Sequence, residues 1–213
     1  MRTIMLLNAK GGCGKSTIVS NLASYYATQG NSVAVVDFDP QRSSLEWLAV
    51  RPEDAPEIIG IDGSEENPRL PRNLDVVIYD VPAGLRGKDL TAMVRRAETI
   101  IIPVLPSPID IRAASHFIRD LLLVGKVSRK QTKLAVVANR VRENTLVYHK
   151  LELFLKSLKI PFVATLRDTQ NYIRGEERGL GIFEMAPSLV AHDLEQWEPL
   201  IKWLRSKRSQ PTE

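Results

Sequence analysis

Asn8-Ala9-Lys10-Gly11-Gly12-Cys13-Gly14-Lys15-Ser16-Thr17 is the stretch on which the reading of this 213-residue chain turns. An apolar, strand-like run, Thr3-Ile4-Met5-Leu6-Leu7, leads into it, and a helix-like run from Thr17 to Gln29 leaves it. Glycines let the backbone curl until several N–H groups face one cavity, and the helix that follows adds the positive end of its dipole. Lys15 is then placed to reach β- and γ-phosphates, and the Ser16 hydroxyl to ligate Mg²⁺. Residues 10–17 are therefore expected to bind the phosphates of a nucleotide.

Two departures mark this loop. Ala9 stands where the ordinary pattern has glycine, and Lys10 adds a second cation inside the turn. A lysine there has little room to fold back onto its own ligand; it either sits solvated at the loop edge or reaches a nucleotide held by a second copy of the chain.

Two acidic clusters follow apolar strand-like runs. Asp37-Phe38-Asp39-Pro40-Gln41 comes after Ser32–Val36, and Asp80-Val81-Pro82-Ala83-Gly84 comes after Leu74–Tyr79. Both therefore fall at the carboxyl ends of strands, the edge where open α/β sheets bind ligands. Asp80 is expected to hold the water shell of Mg²⁺, an indirect contact because that ion keeps several waters. Asp39 is expected to orient the attacking water. Taken singly, each aspartate serves equally as a turn former or helix cap; three strand-end sites in this order favour the chemical reading.

These motifs, Lys10–Thr17, Asp37–Gln41 and Asp80–Gly84, resemble those of the ParA/MinD family of deviant-Walker ATPases. The likeness is greatest to the short ParA branch, which includes plasmid-partition ATPases and carboxysome-spacing McdA proteins. Ile101-Ile102-Pro103-Val104 with Ser107-Pro108-Ile109-Asp110 resembles the family's fourth strand and its following loop. Val136-Val137-Ala138-Asn139-Arg140 resembles the strand whose terminal Asn reads the base. The resemblance implies an Mg-dependent ATPase with slow intrinsic turnover, in which Lys10, Lys15 and Asp39 serve catalysis and Gly11, Gly12, Cys13, Gly14, Ser16 and Thr17 cradle phosphate. It further implies a nucleotide-sandwich homodimer and a partner protein, linked to a cargo, that stimulates hydrolysis. The residues leave the base pocket open: Asn139 reads an adenine edge with Arg140 stacked on it, or forms a strand-end turn. Thr165-Leu166-Arg167-Asp168 follows another strand and is expected to form the second wall through Thr165 and Asp168. ATP is preferred to GTP because Val141 and Arg142, not a guanine-reading pattern, follow Arg140.

Alternation of strand-like and helix-like runs predicts an α/β fold, a doubly wound and mostly parallel sheet with helices on both faces. Strands are expected near 3–8, 32–37, 74–79, 99–104, 133–138 and 161–166. Helices are expected near 16–29, 42–50, 87–97, 110–125, 146–158 and 190–207. The proline-rich span from Arg51 to Arg72 reads as irregular, with at most a short strand at Ile58–Ile61. A 44% hydrophobic, 25% charged composition suits one self-sufficient globular domain over 1–213, with no N-terminal helix-turn-helix extension. The single cysteine, Cys13, precludes disulfides and cysteine metal clusters within a subunit. No signal peptide precedes the first strand and no run approaches membrane-spanning length, so a cytoplasmic location is expected.

Charge is asymmetric, with net −2 over residues 1–125 and +6 over 126–213. The excess gathers at Lys126-Arg129-Lys130-Lys133, at Arg140 and Arg142, and at Lys202-Arg205-Lys207-Arg208. Such a surface suits a phosphate backbone without reading its sequence, or is simply a solvated face. With the resemblance it implies non-specific, nucleoid-associated DNA binding, for which Arg167, Arg174, Arg205 and Lys207 are the candidates. The last helix carries an apolar stripe of Leu194, Trp197, Leu200, Ile201 and Leu204, expected to pack on the core rather than on lipid. The alternatives to a DNA-bound positioning ATPase are a MinD-like membrane-associated ATPase and a dethiobiotin-synthetase-like ligase. Lys10 and the Asp-Pro-Gln run argue against the ligase. His116, Arg119 and Asp120 on the 110–125 helix are candidates for the partner surface.

Overall fold

The computed structural model describes residues 1–64, 68–124, 127 and 131–211. Lys126, Arg129 and Lys130 of the basic run lie outside the described residues. Among the described residues there are seven strands: β1 (Arg2–Leu6), β2 (Val33–Asp37), β3 (Ile59–Asp62), β4 (Val76–Asp80), β5 (Thr99–Val104), β6 (Lys133–Val141) and β7 (Phe162–Arg167). They form one sheet in the order β3-β2-β4-β1-β5-β6-β7. The pairs β2–β3, β2–β4, β1–β4, β5–β6 and β6–β7 all run parallel. Every residue of β2, β4 and β5 is buried, which is why these strands read as unbroken apolar runs rather than alternating ones. The helices are α1 (Lys15–Thr28), α2 (Ser43–Ala49), α3 (Gly87–Val94), α4 (Pro108–Leu123), α5 (Leu146–Ser157), α6 (Gln170–Glu177) and α7 (Pro187–Arg205). Single 3-10 turns occupy Ile182–Glu184 and Lys207–Ser209.

The chain gathers into two interleaved compact units. One comprises Met1–Leu6, Lys15–Pro82 and Thr169–Leu194; the other comprises Leu7–Gly14, Ala83–Asp168 and Glu195–Glu213. In the first unit the register sets Asp37 of β2 beside Asp80 of β4, so both carboxylates emerge at one level of the carboxyl edge. Asn21 of α1 accepts the Ile182 N–H at 2.7 Å and so docks the first 3-10 turn on the helix. Arg51 anchors the same turn: its Nη1 donates to Glu184 Oε2 at 3.0 Å and to the Gly179 carbonyl at 2.9 Å. Its Nη2 meets Glu184 Oε1 and the Pro56 carbonyl, closing a two-pronged ion pair. Both side chains of the pair are buried. Removing one partner of such a pair strands a charge, so Arg51→Met is expected to cost about 3–5 kcal/mol in urea unfolding. A loss under about 1 kcal/mol would contradict this reading.

In the second unit two helices start on capping hydroxyls. Ser107 accepts the Asp110 N–H ahead of Pro108 in α4, and Thr145 accepts the Tyr148 N–H in α5. Ser209 closes the C-terminal segment onto the sheet, its carbonyl accepting from Thr99 Oγ1 at 2.5 Å.

The sequence expectations match the elements to within a few residues, with two differences. Helix α6 was not foreseen, because Gln170–Glu177 offers only Tyr172 and Ile173 as apolar signals. Its start is set by Thr169, whose hydroxyl accepts the Asn171 N–H, and Asn171 Nδ2 donates to buried Asp193 at 2.6 Å. Thr165, Leu166 and Arg167 form the end of β7 itself rather than a run beyond it, and β6 extends through Asn139 and Arg140 to Val141. The α7 stripe is buried at Trp197, Leu200, Ile201 and Leu204, with Leu194 half-buried. Among the described residues no helix is long and apolar enough to cross a membrane.

Candidate functional site

The loop from Asn8 to Gly14 is built within the second unit. Leu7 N–H donates to the Ile101 carbonyl of β5. Buried Asn8 then acts as a clamp: its Nδ2 donates to the Pro103 carbonyl at 2.6 Å, and its Oδ1 accepts the Ala9 N–H at 2.6 Å. Gly12 and Gly14 take φ values of 76° and 86°, which side-chain-bearing residues rarely adopt. A Cβ at Gly14 would also stand 2.3 Å from Asn139 Nδ2. That amide donates to the Cys13 carbonyl at 2.8 Å, so Asn139 props the loop from the end of β6. Cys13 is fully buried.

Lys10 points elsewhere. Its side chain is 41% exposed and its Nζ lies 3.1 Å from Asp110 Oδ1 in the first turn of α4. Ser107 Oγ donates to the other carboxylate oxygen, Oδ2, so Asp110 is held from both sides.

Immediately along the chain, within the first unit, Lys15 opens α1 and is buried. Ser16 sits beside Asp80, whose carboxylate accepts from the Ser16 hydroxyl and, through Oδ2, from Ser44 Oγ at 2.6 Å. Asp80 is 0% exposed, and its Oδ1 has no hydrogen-bond partner among the described residues. Burial dominates its chemistry and pushes the carboxyl up to about 6, with the Asp37 charge adding to the rise. The Ser16 and Ser44 hydrogen bonds and the Lys15 charge oppose that rise. A buried carboxylate oxygen left open beside a serine hydroxyl is a donor set that fits a hard divalent cation with its water shell. Asp37 is raised too, again by burial, although its oxygens accept the N–H groups of Asp39 at 2.9 Å and Ser44 at 3.0 Å. Asp39 Oδ1 accepts the Gln41 N–H at 3.0 Å, the turn-forming geometry open to it from the sequence. Arg42 follows at φ 54°, its guanidinium 3.2 Å from Asp62.

Lys15, Ser16 and Asp80 thus meet, with Asp37 beside them. Thr165 lies 3.4 Å from the Tyr148 hydroxyl, Asp168 is paired with Arg142 at 3.2 Å, and Arg140 is exposed at φ 50°. The four DNA candidates lie on different elements. Arg174 lies on α6 in the first unit and donates to Asn171. In the second unit Arg167 ends β7 at the carboxyl edge, whereas Arg205 and Lys207 flank Ser209, tied to the amino end of β5. Strand polarity therefore separates Arg167 from the other two. On α4, His116, Arg119 and Asp120 are all exposed.

Sequence reasoning passed over four residues. Ser44 could have been found as a hydroxyl in the opening turn of the helix after the first acidic cluster. Asn8 carries no signal beyond opening the loop, and Asp110 none beyond its Ser-Pro-Ile-Asp motif. Glu176 of α6 carries no sequence signal; although its side chain reaches solvent, its carboxyl is raised by partial desolvation and then by the charges of Asp80 and Glu46.

With this geometry in view, comparison with known proteins is informative. The family described as the CobQ/CobB/MinD/ParA nucleotide binding domain matches residues 4–182. A maintenance of carboxysome distribution protein A from Gloeobacter kilaueensis is 30% identical over 191 residues, covering 86% of this chain and 84% of its own. The protein of that name from Halothiobacillus neapolitanus is 27% identical over 190 residues, covering 86% and 87%. The structure of Cyanthece apo McdA superposes with a TM-score of 0.76 at 15% identity, over 96% of this chain and 99% of that one. The likeness thus extends over nearly the whole length, and the chain belongs to the CobQ/CobB/MinD/ParA nucleotide-binding family.

Proposed function

We propose that the protein is an Mg-ATP-driven dimerisation switch that holds non-specific DNA and positions a cargo. The observation that carries this reading is the arrangement of two lysines in one loop. Lys15 is buried beside Ser16 and Asp80, while Lys10, five residues earlier, projects with two-fifths of its side chain in solvent. One lysine serves the chain's own triphosphate, and the other is available to a second copy.

In this reading residues 10–17 wrap the phosphates, Ser16 and, through water, Asp80 hold Mg²⁺, and Asn139 and Arg140 with Thr165 and Asp168 border the base. Mg²⁺ would neutralise charge on the terminal phosphates. Lys10 of each protomer reaches the partner's nucleotide, and loss of the γ-phosphate releases the pair. Asp39 leaves its turn contact with Gln41 to orient water. Each protomer brings a basic surface, so dimerisation doubles the grip on one polymer and raises residence through effective concentration. Intrinsic turnover is slow, and a cargo-linked partner protein stimulates it. The names of the Gloeobacter and Halothiobacillus relatives favour a protein organelle of the carboxysome kind as cargo over a plasmid. The buried α7 stripe disfavours the membrane-associated alternative.

The test is light scattering with ADP, with a nonhydrolysable ATP analogue and with no nucleotide. A doubled mass with the analogue alone is expected, and the same mass in all three overturns the switch. Asp39→Ala is expected to keep the ATP dimer while slowing hydrolysis, so that the protein stays on DNA after wild type has left. Unchanged turnover in this variant removes Asp39 from the mechanism.

A further inference from the structure

We infer that the surface gripping the phosphate backbone of duplex DNA is the amino-terminal rim of the β5–β6 sheet, at the opposite end of those strands from the nucleotide loop. The inference rests on the proposed DNA-binding function and specifies where it resides. Four hydrogen-bonded closures converge at this rim within the second unit. Thr132 Oγ1 donates to the Ala97 carbonyl at 2.9 Å, and Lys133 N–H donates to the Glu98 carbonyl at 2.8 Å. Thr99 Oγ1 donates to the Ser209 carbonyl, and Ser209 Oγ in turn donates to the Leu204 carbonyl at 2.8 Å. These bonds bring together three segments far apart in sequence, and each carries cations. Arg95 and Arg96 precede Ala97, Lys133 opens β6, and Arg205, Lys207 and Arg208 surround Ser209. Five of the six are exposed and Lys133 is half-buried; Glu98 is the one acidic residue in these segments among the described residues.

A surplus of cations on one rim, drawn from three segments and tied together by buried hydroxyls, matches a polyanion in charge and in breadth. The loop attaches at the other end of the same strands, through Pro103 of β5 and Asn139 of β6. A six-residue strand spans roughly 17–20 Å, so the nucleotide cannot touch the DNA directly. ATP then controls DNA only through the number of rims presented, one on a protomer and two on a dimer.

Four double variants test the assignment on labelled duplex DNA with the nonhydrolysable analogue, each checked by light scattering for dimer mass. Arg95→Gln with Arg96→Gln, and Lys207→Gln with Arg208→Gln, are each expected to weaken binding at least about tenfold. Each should also flatten the log–log salt dependence, by about 0.9 in slope for every phosphate the variant no longer neutralises. Arg167→Gln with Arg174→Gln is expected to bind within about twofold of wild type. Lysine replacements, Arg95→Lys with Arg96→Lys, keep the charge and are expected to restore binding, which separates lost charge from lost folding. Rim variants that bind as wild type does, while dimer mass is intact, overturn the location but leave the switch standing. A wild-type dimer that ignores DNA at every salt overturns the DNA reading itself. Wild type that ignores DNA yet binds anionic phosphatidylserine vesicles through the same rim residues overturns the proposal in favour of a membrane.

Discussion

Lys10→Ala is expected to leave the protein at protomer mass in the presence of a nonhydrolysable ATP analogue, at concentrations where wild type is fully dimeric. The expectation starts from where the lysine rests. Its ammonium lies 3.1 Å from Asp110, with much of the Lys10 side chain in solvent. A pair with that much solvent access is worth about 0.2–1 kcal/mol, too little to hold Lys10 against a triphosphate. In the proposed closed dimer the same ammonium would meet several phosphate charges away from water, and truncating one partner of such a desolvated pair costs about 2–5 kcal/mol. A two-fold dimer forfeits this interaction at both nucleotides, so the dimer should weaken by at least about a thousandfold. Affinity for the chain's own nucleotide should change less than about threefold, because Lys15 and the glycine loop are untouched. Asp110→Asn is the companion variant. It removes the resting partner on both protomers, keeps Ser107 as the helix cap, and is expected to tighten the dimer by no more than about thirtyfold. Dimer mass in the Lys10 variant would end the cross-subunit role; so would a nucleotide affinity that falls as far as dimerisation does.

What could be read in advance divides along a physical line. Features set by short-range chemistry were legible. Gly12 and Gly14 stand where positive φ is required, and apolar runs of five or six residues became fully buried parallel strands. Asp37 and Asp80 end neighbouring strands because the length of each apolar run fixes the carboxyl edge. Features made by residues distant in sequence were not. Asn139 could be expected at a strand end, but its amide is engaged by a carbonyl 126 residues away, and nothing local encodes that. Helix α6 forms on the strength of a cap and of Asn171 reaching Asp193, not of an amphipathic pattern. The basic residues were identified correctly as a surplus, yet composition carries no direction. Only strand polarity reveals that Arg167 and Lys207 lie at opposite ends of the second unit.

The burial of Asp80 leads to the other large effect, and to one that can be measured without nucleotide. Its carboxyl titrates at about 6 in the folded chain against an ordinary 3.8, first because it is wholly buried and then because Asp37 is close. A carboxyl raised on folding holds its proton more tightly in the native state between those two values. Stability therefore falls as pH rises through that interval, and the charged form at neutral pH is a standing cost of about 3 kcal/mol. Asn at this position cannot ionise. Wild type should lose about 1.4 kcal/mol relative to Asp80→Asn between pH 5 and pH 8 in chemical denaturation. A gap that is flat or widens in the opposite direction would show that Asp80 is not the strained charge described above. The same substitution is expected to lower ATP turnover roughly 10–100-fold, the range for a group that acts on a metal through its water. It should raise the Mg²⁺ concentration needed for half-maximal activity. A fold that keeps a carboxylate charged where burial opposes it, with Oδ1 open and Ser16 and Ser44 aimed at the group, sacrifices stability at a position where an amide would fit. In the proposed function cation binding would offset that sacrifice, so Mg-nucleotide should stabilise wild type more than it stabilises Asp80→Asn.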